Sequence, residues 1–234
     1  MNRAAALLAL AILADCATGR TESGVRVRKT GAAAGWRPKR VILLYPQVSS
    51  GAVTAKGETF GTRPLMGSEM AALIHVSVRA QFGAADAGMP EWKDASEDKA
   101  ARERAALLST VISREWRATG RPPARAVAEL ARATQGDAAF IVWIIRYGPS
   151  RARLRVKGVD GEVAEAGRAS GPDSAGWLNC GLKVALVRFA GSQVAWEAAD
   201  LVSREADSNS TQEMIAQECV KRILEVFPFR QGRE

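Results

Sequence analysis

The period with which apolar positions recur along the chain predicts most of its elements. In "KRVILLYP", Val41 to Tyr45 run unbroken between two cations and a proline, as a strand buried on both faces does. Residues 46 to 67, with Gly51, Gly57, Gly61, Pro64 and Gly67, read as loop. "SEMAALIHVSVRAQF" fits two periods. Met66, Met70, Leu73 and Ile74 have helical spacing from a Ser68 cap, whereas Ile74, Val76, Val78, Ala80 and Phe82 alternate as a strand would. Helix is the reading taken for 68–82, with His75 on its polar, solvated side. Past the loop "GAADAGMPEW", Asp94 and Glu97 have the spacing of a capping box. The helix they open carries a stripe of Ala101, Ala105, Leu108, Val111, Ile112 and Trp116 and ends at Gly120. Pro122 and Pro123 open a second helix, striped by Val127, Leu130, Ala131 and Thr134 and closed by Gly136.

"DAAFIVWIIRYG" is then apolar on both faces, which predicts a central strand covered by helices. "RARLRVKGV" alternates instead. Ala152, Leu154 and Val156 make one face, and Arg151, Arg153, Arg155 and Lys157 the other. "GLKVALVRFAGSQVAWEAADLVS" reads as two strands joined by a tight turn at Gly191-Ser192. Ser210 and Glu213 are spaced to cap a last helix with the stripe Ala216, Cys219, Val220, Ile223, Leu224 and Phe227, which Pro228 stops. This order predicts a single α/β (α+β) domain, a mixed β-sheet packed by helices, over residues 39–229, with 230–234 as a tail.

The first residues carry an address. A short n-region with Arg3 precedes an apolar run from Ala4 to Ala14, too short to span a membrane but of the length of a secretory h-region. Residues 1–15 therefore read as a signal peptide. Leu13-Ala14-Asp15-Cys16 resembles the lipobox of bacterial lipoproteins, which implies lipidation of Cys16; Asp15 stands where that motif holds a small residue, and plain secretion is the alternative. Ala17 after the cysteine, by resemblance to enterobacterial sorting, implies the outer membrane, with the protein facing the periplasm. Residues 16–38, rich in Gly, Ala, Thr and Arg, read as a flexible tether.

Composition narrows the chemistry. A net charge of +8 on 234 residues suits acidic partners such as lipid head groups or cell-wall polymers. Only one histidine, His75, is present, so no two-histidine metal site or catalytic device is available. No Gly-x-Ser-x-Gly elbow, Walker sequence or dinucleotide fingerprint occurs. Glu197 with Asp200, and Glu162 with Glu165, read as solvated carboxylates rather than an acid/base pair. The expectation is no enzyme, no cofactor and no metal. Arg151, Arg153, Arg155 and Lys157 are the candidate anion-binding face, for peptidoglycan or lipopolysaccharide, against the blander reading of a charged edge that resists aggregation. No aromatics interleave them, so nucleic acid is not expected as a partner. Cys180 and Cys219 either form a disulfide in an oxidising compartment or stay free, buried thiols.

One resemblance goes further. "ELARATQGDAAFIVWIIRYG", marked by Gly136, Asp137, Ala138 and Gly148, and "VALVRFAGSQVAWEA", marked by Gly191, Val194 and Trp196, resemble a superfamily of bacterial envelope lipoproteins. That superfamily includes the curli-secretion lipoprotein and the lipoproteins that activate penicillin-binding proteins. The helix ending in "LEVFP" is similar to its closing helix, and "GVRVR" with "KRVILLYP" resembles a group of lipoproteins from myxobacteria and leptospires. Together these stretches cover residues 25 to 229. The resemblance implies an α/β fold and an envelope role through protein contacts: envelope assembly, regulation of cell-wall synthesis, or help in secretion. It implies no active site, and no segment resembles the hairpins with which the curli lipoprotein forms a pore. The function expected is thus a lipid-anchored binding or scaffolding module whose protein partner is unknown. The competing classes are a soluble periplasmic enzyme built on His75 and a binder of anionic wall or lipid polymers.

Overall fold

The computed structural model describes residues 17–20, 24–33, 35–49, 67–83, 89–95, 99–168, 176–206 and 211–229. The signal peptide, Cys16 and the 230–234 tail lie outside them. The longest strands are β6 (Ala138–Ser150), β9 (Trp177–Arg188) and β10 (Gln193–Glu205). They are antiparallel neighbours at the centre of a mixed sheet. On one side follow β3 (Arg40–Leu43) and β5 (Glu91–Asp94), both parallel; on the other, β2 (Arg26–Lys29) and β1 (Ala17–Arg20). The short β4 (Gln47–Val48) pairs with β6 beyond β3.

β6 is buried almost throughout because both of its faces are covered, as its unbroken apolar run requires. On one face, α1 (Gly67–Gly83) and α4 (Gln212–Glu225) set Met70, Ile74, Val78, Ile215, Cys219 and Ile223 against Phe140, Val142, Val184 and Trp196. On the opposite face, α2 (Lys99–Thr119) and α3 (Ala124–Thr134) set Leu108, Ile112, Trp116, Val127 and Leu130 against Ile42, Ile141, Trp143 and Val187. Beside them the hairpin of β7 (Ala152–Val156) and β8 (Val163–Arg168) lays Ala152, Leu154 and Val156 on Ala199 and Leu201 of β10.

Several expectations need correction. Residues 24–33 and 35–38 are not tether. Val25 is fully buried, β2 pairs with β10, and a 3-10 turn follows at Gly31–Ala33, so the folded domain begins before residue 39. Residues 17–20 pair with β2 as well. The physical reason is a period-2 pattern, Val25 and Val27 alternating with Arg26 and Arg28, that a Gly- and Arg-rich composition conceals. Asp94 is no helix cap: it ends β5, opposite Leu43. The last helix is capped by Thr211, whose side chain accepts from the Met214 N–H at 3.1 Å. Residues 68–82 are helical. His75 is nonetheless buried rather than solvated.

The turn from α3 into β6 depends on one glycine. A Cβ on Gly136 would lie 2.4 Å from Cγ1 of the fully buried Ile42. The helix and the sheet approach too closely there for any side chain. Asp137 then accepts from the main-chain N–H groups of Lys39 and Arg40, at 2.8 and 2.9 Å, and so ties the start of β6 to that of β3.

Candidate functional site

Two concave regions lie against β10, and both draw on residues from distant parts of the sequence. At its C-terminal half, β10 runs past the end of β2, whose pairing stops at Ala199 opposite Arg26. The resulting hollow, of about 410 Å³, lies between the β7 strand and α4. Arg26, Arg153, Arg155, Arg204 and Arg222 line it, together with Asp200 and Glu218. Arg204 forks onto Glu218 at 2.8 and 3.2 Å, and Arg222 holds Asp200 at 2.9 Å. Arg153 lies over the Trp177 ring, 5.3 Å from its centre. Arg26 and Arg155 have no carboxylate partner among the described residues. Three arginines thus stand beyond the two carboxylates, and the hollow is net positive.

Of the four cations expected on one strand face, the structure keeps two together. β7 spans only Ala152–Val156, so Arg153 and Arg155 project from it while Arg151 and Lys157 flank its ends. Lys157 pairs with Glu162 at 3.0 Å. The structure instead adds Arg26, Arg204 and Arg222, which sequence periodicity could not place there, since each comes from a different strand or helix.

Asp200 and Glu197 are not solvated carboxylates. Both are buried on β10, pointing to opposite faces of the sheet as their odd spacing dictates. Burial lifts the Asp200 carboxyl to about 6 against the attraction of Arg222. Glu197 sits opposite Arg28 in the β2 register and is hydrogen-bonded by its guanidinium. Its other oxygen lies 3.5 Å from the Lys183 ammonium and makes no hydrogen bond among the described residues.

Lys183 belongs to the second region, a cleft of about 380 Å³ between the sheet and the end of α2. Its ammonium is 5.8 and 5.6 Å from the ring centres of Trp116 and Trp143. Those indoles meet edge to face at 5.2 Å, and the Trp143 Nε1–H donates to Ser113 Oγ at 2.9 Å. Arg117, Gly120 and Asp160 border the mouth.

His75 has a separate setting. Its Nε2 is 2.9 Å from Asp94 Oδ2, Arg79 approaches the same oxygen at 3.1 Å, and Tyr45 packs across the ring. Asp94 thus gives this histidine an orienting carboxylate, but no serine or cysteine hydrogen-bonds to it among the described residues. Cys180 and Cys219 face each other between β9 and α4 as free, buried thiols. Burial pushes the Cys219 thiol well up, and the neighbouring Cys180 adds to this. Among the described residues no group of His, Cys, Asp and Glu side chains could hold a metal ion, and no helix is long and apolar enough to cross a membrane.

No family model matches the chain, and no curated protein matches it. Among solved structures it is similar to the PelC dodecamer from Paraburkholderia phytofirmans, at 15% identity over 90% of this chain and 98% of that one, with a TM-score of 0.42. It is similar also to lipoprotein GNA1162 from Neisseria meningitidis, at 11% identity over 80% and 96%, with a TM-score of 0.39. The hypothetical protein CT253 from Chlamydia trachomatis matches at 9% identity over 80% and 93%, with a TM-score of 0.45. Likenesses this slight assign neither a family nor an activity.

Proposed function

We propose that the chain is an exported cell-envelope protein, anchored by a lipid on Cys16 and facing the periplasm, whose α+β domain works by binding rather than by catalysis. The observation that carries the reading is the arginine-lined hollow at the open end of β10. Arg26, Arg153 and Arg155 stand there in excess over the two carboxylates that Arg204 and Arg222 engage. Guanidinium groups present planar pairs of N–H donors that match phosphate and carboxylate oxygens. The ligand class is therefore an anionic envelope polymer, with the phosphates of lipopolysaccharide and the carboxylates of peptidoglycan as the two sources.

The test is a pull-down of the full chain on lipopolysaccharide and on peptidoglycan at rising salt. Retention falling steeply with salt, and lost in Arg26→Glu and Arg155→Glu, is expected. Lys157→Glu makes the same change of charge at a residue outside the hollow and serves as control. Equal losses in all three variants would reduce the effect to net charge and overturn the site. The anchor is tested separately by metabolic labelling with a fatty acid: label in the wild type and none in Cys16→Ala is expected, and an unlabelled wild type rules the anchor out.

A further inference from the structure

The second cleft, on the Glu197 face of β10, has a chemistry of its own. Its floor is the strip where Trp143 of β6, Lys183 of β9 and Glu197 of β10 lie side by side, Trp143 and Lys183 being register partners. Two cations, Arg28 and Lys183, hold the one buried carboxylate, so the floor keeps a single positive charge in excess. The Lys183 ammonium has three N–H donors, and Glu197 is its only carboxylate partner among the described residues. Because Glu197 is fully buried and Lys183 is partly exposed, the carboxylate acts as a post that fixes the ammonium beneath the cavity. The oxygen nearest Lys183 makes no hydrogen bond among the described residues. Two indoles and Ile145 supply the apolar part of the lining; at the mouth, Arg117 and Asp160 present a donor and an acceptor.

Ligand classes can be sorted against that lining. A bare anion would answer the ammonium but leave the apolar wall unused and would meet Asp160 at the mouth. A cation would be repelled by Lys183 and Arg28. An apolar ring would leave the ammonium and Asp160 without partners. A polyhydroxylated ring that carries a carboxylate matches each element: the carboxylate on Lys183, the ring against Ile145 and the parts of Trp116 and Trp143 that line the cleft, and hydroxyls that accept from Arg117 and donate to Asp160. A cavity of about 380 Å³ holds one such ring with accompanying water. We infer that the cleft formed by Trp116, Trp143, Lys183 and Glu197 binds a single acidic sugar unit. This inference uses no residue of the arginine hollow, so either site can fail without the other.

Saturation-transfer NMR on the full chain, kept in a detergent without sugar head groups, tests it with glucuronate as probe. Glucose, which lacks the carboxylate, and acetate, which lacks the ring, are the comparisons. Saturable transfer to the glucuronate ring protons is expected, with binding at least tenfold weaker for either comparison. The double variant Arg117→Ala and Asp160→Ala changes only exposed side chains at the mouth, and it is expected to weaken glucuronate binding at least fivefold with an unchanged melting temperature. Arg155→Glu is expected to bind glucuronate as the wild type does. Absence of saturable binding, equal binding of glucose or acetate, or an unaffected double variant would each overturn the assignment.

Discussion

At the scale of single residues, β10 shows what a burial pattern does to chemistry that looks ordinary in sequence. Glu197 and Asp200 read as solvated because they are charged and closely spaced, but each belongs to a different face of a fully covered strand. For Asp200 the consequence is a definite pH dependence. Its carboxyl titrates near 3.8 when unfolded and at about 6 when folded. The folded state therefore binds the extra proton between those values, and stability falls as pH rises through this window and is flat above it. The full swing is about 3 kcal/mol at most, from about 1.4 kcal/mol per pKa unit. Urea midpoints of the wild type and Asp200→Asn, compared from pH 4 to 7.5, should diverge in favour of the variant up to about pH 6 and then run parallel. Curves parallel throughout would show that Asp200 titrates as an exposed group does. Gly136 offers a second check. Placing a methyl 2.4 Å from Ile42 in a closed core should cost about 1–3 kcal/mol, read as a lower melting temperature for Gly136→Ala.

At the scale of elements, what the sequence reveals depends on how many residues repeat its period. α3, α4, β6 and the β9–β10 hairpin each show the expected stripe or run, and all lie where the pattern puts them. β5 has only four residues, two of them partly buried and one exposed, and its aspartate sits where a helix cap would. Neither length nor period could have revealed it. β2 does alternate, Val27 between Arg26 and Arg28 with Val25 just before it, but four residues weigh little against a composition that suits a tether. Ser210, the cap expected for α4, lies outside the described residues. Thr211 accepts from the Met214 N–H, so Thr211→Ala should lower stability by about 1 kcal/mol in thermal melts. The thiols belong to this scale too, since they join α4 to β9. Mild oxidation should convert Cys180 and Cys219 to an intramolecular disulfide, seen as a mass loss of two hydrogens that Cys219→Ser prevents. Retention of both free thiols would mean that the rigid packing holds the sulfurs apart.

At the scale of the whole molecule, both candidate sites are assembled from parts far apart in sequence, which is why neither was visible there in full. The arginine hollow needs β2, the β7 hairpin, β10 and α4; the cleft needs β2, β6, β9, β10 and the end of α2. Only the Arg153 and Arg155 pair, on a single strand, left a local trace. β2 is common to both, supplying Arg26 to one and Arg28 to the other, two residues apart on the same face of the strand. This makes the N-terminal boundary a test of the architecture. A chain starting at Gly24 keeps β2, and is expected to fold with a melting temperature within a few degrees of the full chain. One starting at Lys39 loses Val25 and Val27 from the core and takes from Glu197 its guanidinium partner, leaving it Lys183. Each lost valine costs about 1.5 kcal/mol or more, and the lost guanidinium and the pairing of β2 with β10 add to this, against a total domain stability of about 5–15 kcal/mol. The shorter chain should therefore show no cooperative melt, or one far below the longer chain's, by circular dichroism. If it melts where the longer chain does, β2 is an ornament of the sheet edge and both sites would have to be rebuilt without it.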